Sequence, residues 1–257
     1  KVIINHAYDA VVRVGGERVM SKRNIFWIGM FVLLGGVLSS LGHTFTLPDG
    51  RSLEAEIVQY DERSGQVELK RTDGKLVKIK PSVFVKSDQD YITEWFLHSV
   101  FNGKDISVDI NKKKVGQRKE DGNAHFMRID EFLYQIEIEN RSNIEISELD
   151  VEYRIFYEQE ENDMDKGRVV KHDRTVQGDL EIELLAAKGK RIFSSKEVEL
   201  VKYEFNSTEY YVPGGDPQAT QGSIKGIWVR VECKSAGGMK SVRDFYEPSS
   251  IEGKYSW

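Results

Sequence analysis

Alternation with a period of two runs through this chain and restricts most of it to pleated sheet. Leu149, Val151, Tyr153, Ile155 and Tyr157 alternate with Asp150, Glu152 and Arg154. Ile227, Val229, Val231 and Cys233 alternate in the same way with Trp228, Arg230, Glu232 and Lys234. Successive side chains of a strand point to opposite faces, so each of these segments is dry on one side and wet on the other. Shorter stretches repeat the pattern at Ile106, Val108 and Ile110, at Tyr134, Ile136 and Ile138, at Leu180, Ile182 and Leu184, and at Val198 and Leu200. No long helical stripe interrupts them. About seven strands with one wet face each are what an antiparallel sandwich needs. Residues 104–257 are therefore expected to form a β-sandwich of immunoglobulin or fibronectin-III-like kind, and the chain as a whole is all-β.

Composition narrows the function classes. The chain has 257 residues, 39% hydrophobic and 31% charged, with a net charge of −5. That is globular, and large enough to bury a core without disulfide staples. Lys112, Lys113 and Lys114 are too short a run to make a basic stripe, so no nucleic-acid partner is expected. Cys233 is the single cysteine, which excludes an internal disulfide and a zinc site of paired cysteines. Its register with Ile227, Val229 and Val231 makes it a core residue, not a nucleophile.

The N-terminal region has a different pattern. Met20 to Asn24 is basic, Ile25 to Leu38 is an apolar run, and Ser39 to Gly42 is small-residue rich. That order is the pattern of a secretory signal, with cleavage expected before His43. The apolar run is short for a membrane span, and the alternative is an uncleaved anchor over residues 25–42. No cysteine follows the run, so no lipid anchor of that kind is expected. Translation is expected to begin at Met20, with residues 1–19 upstream of it. The mature protein would then be periplasmic or secreted, touching a membrane only if that N-terminal segment is retained.

Residues 43–100 form a first module. Leu53, Ala55 and Ile57 alternate with Glu54 and Glu56, and Val67 and Leu69 follow after a turn at Asp61 to Gly65. Thr72-Asp73-Gly74-Lys75 carries the Asp-Gly signal of a tight hairpin with both central residues at positive φ. Val77 and Ile79 return, and Pro81 stops the strand. Ser87 is the expected N-cap of one short helix, with Asp88 and Asp90 in its first turn. Tyr91, Ile92, Trp95 and Phe96 share a helical face that closes the barrel or packs between modules.

These residues, in the order His43-Thr44-Phe45-Thr46, Asp49-Gly50-Arg51, Glu54-Ala55-Glu56, Thr72 to Lys75 and Ser87 to Trp95, resemble the SLA-one homology domain family. The likeness is to the bacterial members found behind signal peptides in planctomycete and verrucomicrobial proteins. It covers about a fifth of the chain, residues 43–97. It implies a small Src-homology-3-like barrel and a protein-binding role. The peptide ligands of the eukaryotic members do not carry over to a bacterial envelope. The candidate contact set on this module is Phe45, Arg51, Tyr60, Lys70 and Arg71, against the plainer reading that Phe45 is core and the basic residues are solvated.

Candidate chemistry elsewhere is thin. Asn162-Asp163-Met164-Asp165-Lys166-Gly167 is a fragment of a calcium loop without its downstream glutamate, and it reads first as a hairpin tip. His98, His125 and His172 lack metal-like spacing. The loop from Pro213 to Gly222 has no phosphate-cradle lysine, and Tyr210, Tyr211 and Trp228 near it offer an aromatic contact surface or a sandwich edge. Asn140-Arg141-Ser142 and Asn206-Ser207-Thr208 match a glycosylation sequon but are assigned no role in a bacterial chain. No metal or cofactor is expected. The chain thus reads as a non-enzymatic adaptor that recognises a peptide or partner protein through the barrel. The alternative is a carbohydrate-binding or enzyme-accessory sandwich protein of the envelope. A hydrolase would require a deep pocket with convergent polar groups.

Overall fold

A computed structural model describes residues 42–121, 125–163, 165–205, 218–235 and 237–257. The expected signal or anchor, but for Gly42, and both Tyr210 and Tyr211 lie outside the described residues. Residues 43–257 form one compact unit. It is all-β apart from one helix and two short 3-10 turns.

The N-terminal part is an antiparallel meander of four strands: β1 (His43–Thr46), β2 (Ser52–Asp61), β3 (Gln66–Arg71) and β4 (Leu76–Ile79), in that order across the sheet. Its inner face supplies Phe45, Ala55, Ile57, Val67 and Leu69, all buried at the spacing the alternation predicts. The hairpin from β3 to β4 differs from the expected two-residue turn. Only Gly74 has positive φ, at 79°, and its N–H donates to the Arg71 carbonyl at 2.8 Å. That is a three-residue loop, which needs one left-handed residue and not two.

Helix α1 (Lys86–Asn102) closes the meander. It is longer than expected, ending at Asn102 with Gly103 as its C-cap, past the expected end of the first module at residue 100. Val85, not Ser87, takes the N-cap position. The reason lies in Asp88, which turns inward instead of serving the helix end. Its carboxylate accepts from the Thr46 N–H at 2.6 Å and meets His43 Nε2 at 2.9 Å, tying the first strand to the helix. Tyr91, Ile92 and Trp95 pack into the meander core, while Phe96, Leu97, Val100 and Phe101 pack into the core of the second part. A single helix thus belongs to two cores.

The second part is a β-sandwich of two antiparallel four-stranded sheets. One sheet has the order β10 (Val198–Phe205), β6 (His125–Asn140), β5 (Ile106–Asp121), with β9 (Lys190–Ser194) continuing the β10 edge of β6. The other runs β12 (Lys240–Glu247), β11 (Gly222–Lys234), β7 (Ile146–Asp163), β8 (Arg168–Leu185). Tyr134, Ile136 and Ile138 from one sheet meet Leu149, Val151, Ile155, Val229 and Cys233 from the other in one core. The inward set expected on β7 and β11 is the set observed.

On β8 the expectation needs one correction. Leu184 is 41% exposed, and Leu185 takes the core position instead. Glu148 on the paired strand has a φ of 56°, which breaks the pleat beside this pair and shifts the inward residue by one.

The two parts are held together by polar bonds as well as by α1. Arg243 on β12 donates to the carbonyls of Phe101 and Ile106, both at 2.8 Å, and so binds the C-terminal end of the helix to the sheet. His98 Nδ1 lies 2.5 Å from Ser241 Oγ, and Asn143 donates to Glu62 at 2.6 Å.

Candidate functional site

The sandwich core is apolar along most of its length and turns polar at one end. On the inner face of β7 the sequence of side chains runs Ile155, Tyr157, Gln159, Glu161. Strands β7 and β8 extend past the dry core here, and the facing sheet does not close over them. The result is a cleft of about 630 Å³ lined from β7, β8 and β10. Its size lies within the range of small-ligand and peptide sites. Tyr157, Val176, Val198, Val201 and Tyr203 give it an apolar lining.

The β10 edge forms one wall, and its backbone is partly covered. Val201 donates its N–H to Gln159 Oε1 at 3.1 Å and receives Gln159 Nε2 on its carbonyl at 2.8 Å. Tyr203 exchanges both backbone bonds with Thr220 at 2.9 Å each. Gly222 makes this closeness possible, because a Cβ there would stand 2.5 Å from Gln159 Oε1 and 3.0 Å from Leu200. Asn162 secures the segment before it by bonding the Gln218 backbone in both directions, at 2.8 and 3.1 Å.

The rim is acidic. Glu160, Glu161, Glu197 and Glu199 line the cleft against one cation, Arg174. Arg174 pairs with Glu161, Lys171 with Glu160 at 3.3 Å, and Arg118 with Glu199 at 3.0 Å. The bond to Glu199 raises the Arg118 pKa, and bonds to Glu158 and Glu160 raise that of Lys171. Glu197 is exposed and has no cationic partner among the described residues. The buried amide of Gln159 is already committed to holding backbone.

The residues singled out from sequence are not assembled into one surface. Phe45 is fully buried, 5.1 Å from the Phe84 ring. Arg51 is exposed and bonded to Asp49 at 2.8 Å. Tyr60 is half-buried against Phe96. Lys70 and Arg71 sit at the exposed end of β3 and, as neighbours in a strand, point to opposite faces. Trp228 is buried on the outer face of the second sheet, its Nε1 donating to Asp244 at 2.8 Å and its ring meeting Trp257 edge-on.

The other constellations resolve into structure. Asn162 to Gly167 is the β7–β8 hairpin tip, where Asp163 binds Lys166. Among the described residues no cluster of potential metal ligands occurs, and no helix is long and apolar enough to cross a membrane. The Asn140 side chain is wholly buried. It donates to the Ile144 carbonyl at 2.7 Å and accepts from Ser142 N–H and Oγ at 2.9 and 2.6 Å.

Sequence reading missed the cleft because its members come from three distant segments. The only signal was the change from Ile155 and Tyr157 to Gln159 and Glu161 within one unbroken alternation.

No family model and no curated protein matches the chain. The solved structures that align include Northeast Structural Genomics Consortium target SoR45, at 13% identity over 55% of this chain and 85% of its own. The TM-score is 0.25, an overlap too shallow to transfer fold or function.

Proposed function

We propose that this protein is a non-catalytic binding protein of the bacterial envelope, and that its ligand sits in the cleft between the two sheets. The observation that carries this reading is the cleft itself: about 630 Å³, apolar-lined and acid-rimmed. A catalyst needs a polar group free to move a proton. Gln159 and Asn162 spend both ends of their amides on backbone, and Glu160 bonds Lys171 and the Gln221 N–H. Glu197 alone among the rim carboxylates has no cation beside it among the described residues, and a single acid with no partner base favours holding a ligand over transforming one.

The signal-like segment at residues 20–42 supports export. The resemblance of residues 43–97 to SLA-one homology domains implies peptide recognition by the small module itself, which is the rival to this site. In this reading the small module, Src-homology-3-like in kind, is a fixed buttress. The sandwich, immunoglobulin-like in kind, carries the site.

The test is binding of the neutral dye Nile red to the full chain. Val176 lines the cleft, and Val176→Trp narrows it at its apolar wall. The dye should brighten with the native protein and lose most of that signal with Val176→Trp. Arg51→Ala and Lys70→Ala should leave it unchanged. An undiminished signal with Val176→Trp overturns the reading.

A carbohydrate reading keeps one observation in its favour. The Trp257 ring lies over Arg230 at 4.2 Å beside a hollow of about 510 Å³ that Asp150, Glu152, Asp179 and Glu181 also line. Glycan-array hits abolished by Trp257→Ala would move the site there.

A further inference from the structure

The β10 edge is filled in a row, and the row stops short. At Tyr203 the outward backbone pair is met by Thr220, a true strand neighbour. At Val201 it is met by the Gln159 side-chain amide, which imitates a peptide group. Backbone groups on an antiparallel edge alternate inward and outward, so Glu199 turns the same pair toward the cleft. Among the described residues nothing meets the Glu199 N–H or C=O; only its carboxylate is engaged, by Arg118.

We propose that the ligand is an extended peptide of alternating apolar and basic residues, which adds a strand at Glu199 and continues the line set by Thr220 and Gln159. The inference rests on the cleft reading above and supplies its ligand class. Strand addition is a recurring mode of peptide capture, in which main-chain bonds give affinity and alternate side chains give selectivity. The period of two then assigns the side chains. One set enters the cleft against Val176 and Val198. The other faces Glu197, whose carboxylate has no cationic partner among the described residues. Lysine or arginine at alternate positions matches this rim, and glutamate repels it. An unpaired edge beside an apolar cleft is a hazard unless something occupies it.

The experiment measures fluorescence anisotropy of a labelled Lys-Val-Lys-Val-Lys-Val peptide with the full chain. Two control peptides are used: one N-methylated at alternate amides, which removes donors but keeps every side chain, and Glu-Val-Glu-Val-Glu-Val. The Lys-Val peptide should bind about tenfold or more tightly than either control, with affinity falling as salt rises. Glu197→Lys, an exposed substitution that leaves the fold untouched, should weaken it by about the same factor. Equal binding of the N-methylated peptide overturns strand addition, and equal binding of the Glu-Val peptide overturns the basic ligand. Failure of the Lys-Val peptide while Nile red still responds to Val176→Trp overturns the peptide and spares the cleft. Loss of both signals overturns the two together.

Discussion

Gln159 on one sheet of the sandwich and Val201 on the edge of the other form a closed two-bond ring, at 2.8 and 3.1 Å. The side-chain amide takes the place of a strand, joins the sheets where their apolar core ends, and sets the width of the cleft. Gln159→Leu keeps the volume and removes both bonds, leaving the Val201 backbone groups without their partner in a half-buried place. The expected loss is about 1–3 kcal/mol, read from the urea midpoint. Nile red affinity should change with it, because the β10 wall is no longer held.

Asn140 has a similar role at the opposite corner, where its buried amide gathers Ile144, Ala186 and Ser142. Asn140→Ala orphans several buried groups at once. The expected cost is about 2–4 kcal/mol, at the upper end for a single polar deletion. Chemical unfolding of the full chain checks it. Ser235→Ala, which removes only the half-buried hydroxyl that accepts the Met239 N–H at 3.1 Å in the β11–β12 turn, should cost less.

Tyr153 and Gly178 are cross-strand neighbours, and the tyrosine ring lies over the glycine. A Cβ at Gly178 would stand 2.3 Å from Tyr153 Oη and 2.5 Å from Cζ. Gly178→Ala must therefore displace a ring whose hydroxyl also accepts the Lys196 N–H at 2.9 Å. A destabilisation of about 1–3 kcal/mol is expected. Tyr153→Phe, which removes only that acceptor, should cost about 1 kcal/mol. Thermal unfolding of both variants separates the two effects.

Lys114 and Arg128 hold the Asp130 carboxylate between them at 2.7 and 3.2 Å, and the bond to Lys114 is the larger cause of its lowered pKa. A carboxylate whose pKa is lower folded than unfolded stabilises fully above the unfolded value and loses that contribution as pH falls through the folded one. Asp130→Asn should therefore be less stable than the native protein at neutral pH. The gap should narrow below about pH 4. Urea midpoints measured across that range test the sign.

Burial, with a smaller contribution from Glu148, pushes the Cys233 thiol up to about 11. The folded protein should not react with a thiol reagent such as dithionitrobenzoate at pH 8. Full reaction should appear on unfolding, at the rate of unfolding itself.

The parts of the fold legible in the sequence were those where one strand face meets a dry core. Leu149 to Tyr157 and Ile227 to Cys233 announce themselves because every inward position is apolar. Strand β12 did not, because Arg243 occupies a position where an apolar residue would be read and spends its charge on the carbonyls of Phe101 and Ile106. The far halves of β5 and β8 extend beyond the core and have no dry face to mark. The cleft was illegible for a related reason. Its residues are ordinary for exposed strand ends, and only pairing across two sheets brings Tyr157, Val176 and Glu197 together. Of the small module, the hairpins and the inward set were readable. The inward turn of Asp88 toward His43 was not, since an acidic residue there reads equally well as a dipole partner.

The most direct measurement is a map of backbone amide shifts in the full chain as the Lys-Val hexapeptide is added. Changes should concentrate at residues 157–162, 174–176 and 197–203 and be strongest at Glu199. Changes concentrated instead on the small module, around Arg51, Tyr60 and Lys70, would contradict the cleft site and return the binding role to that surface.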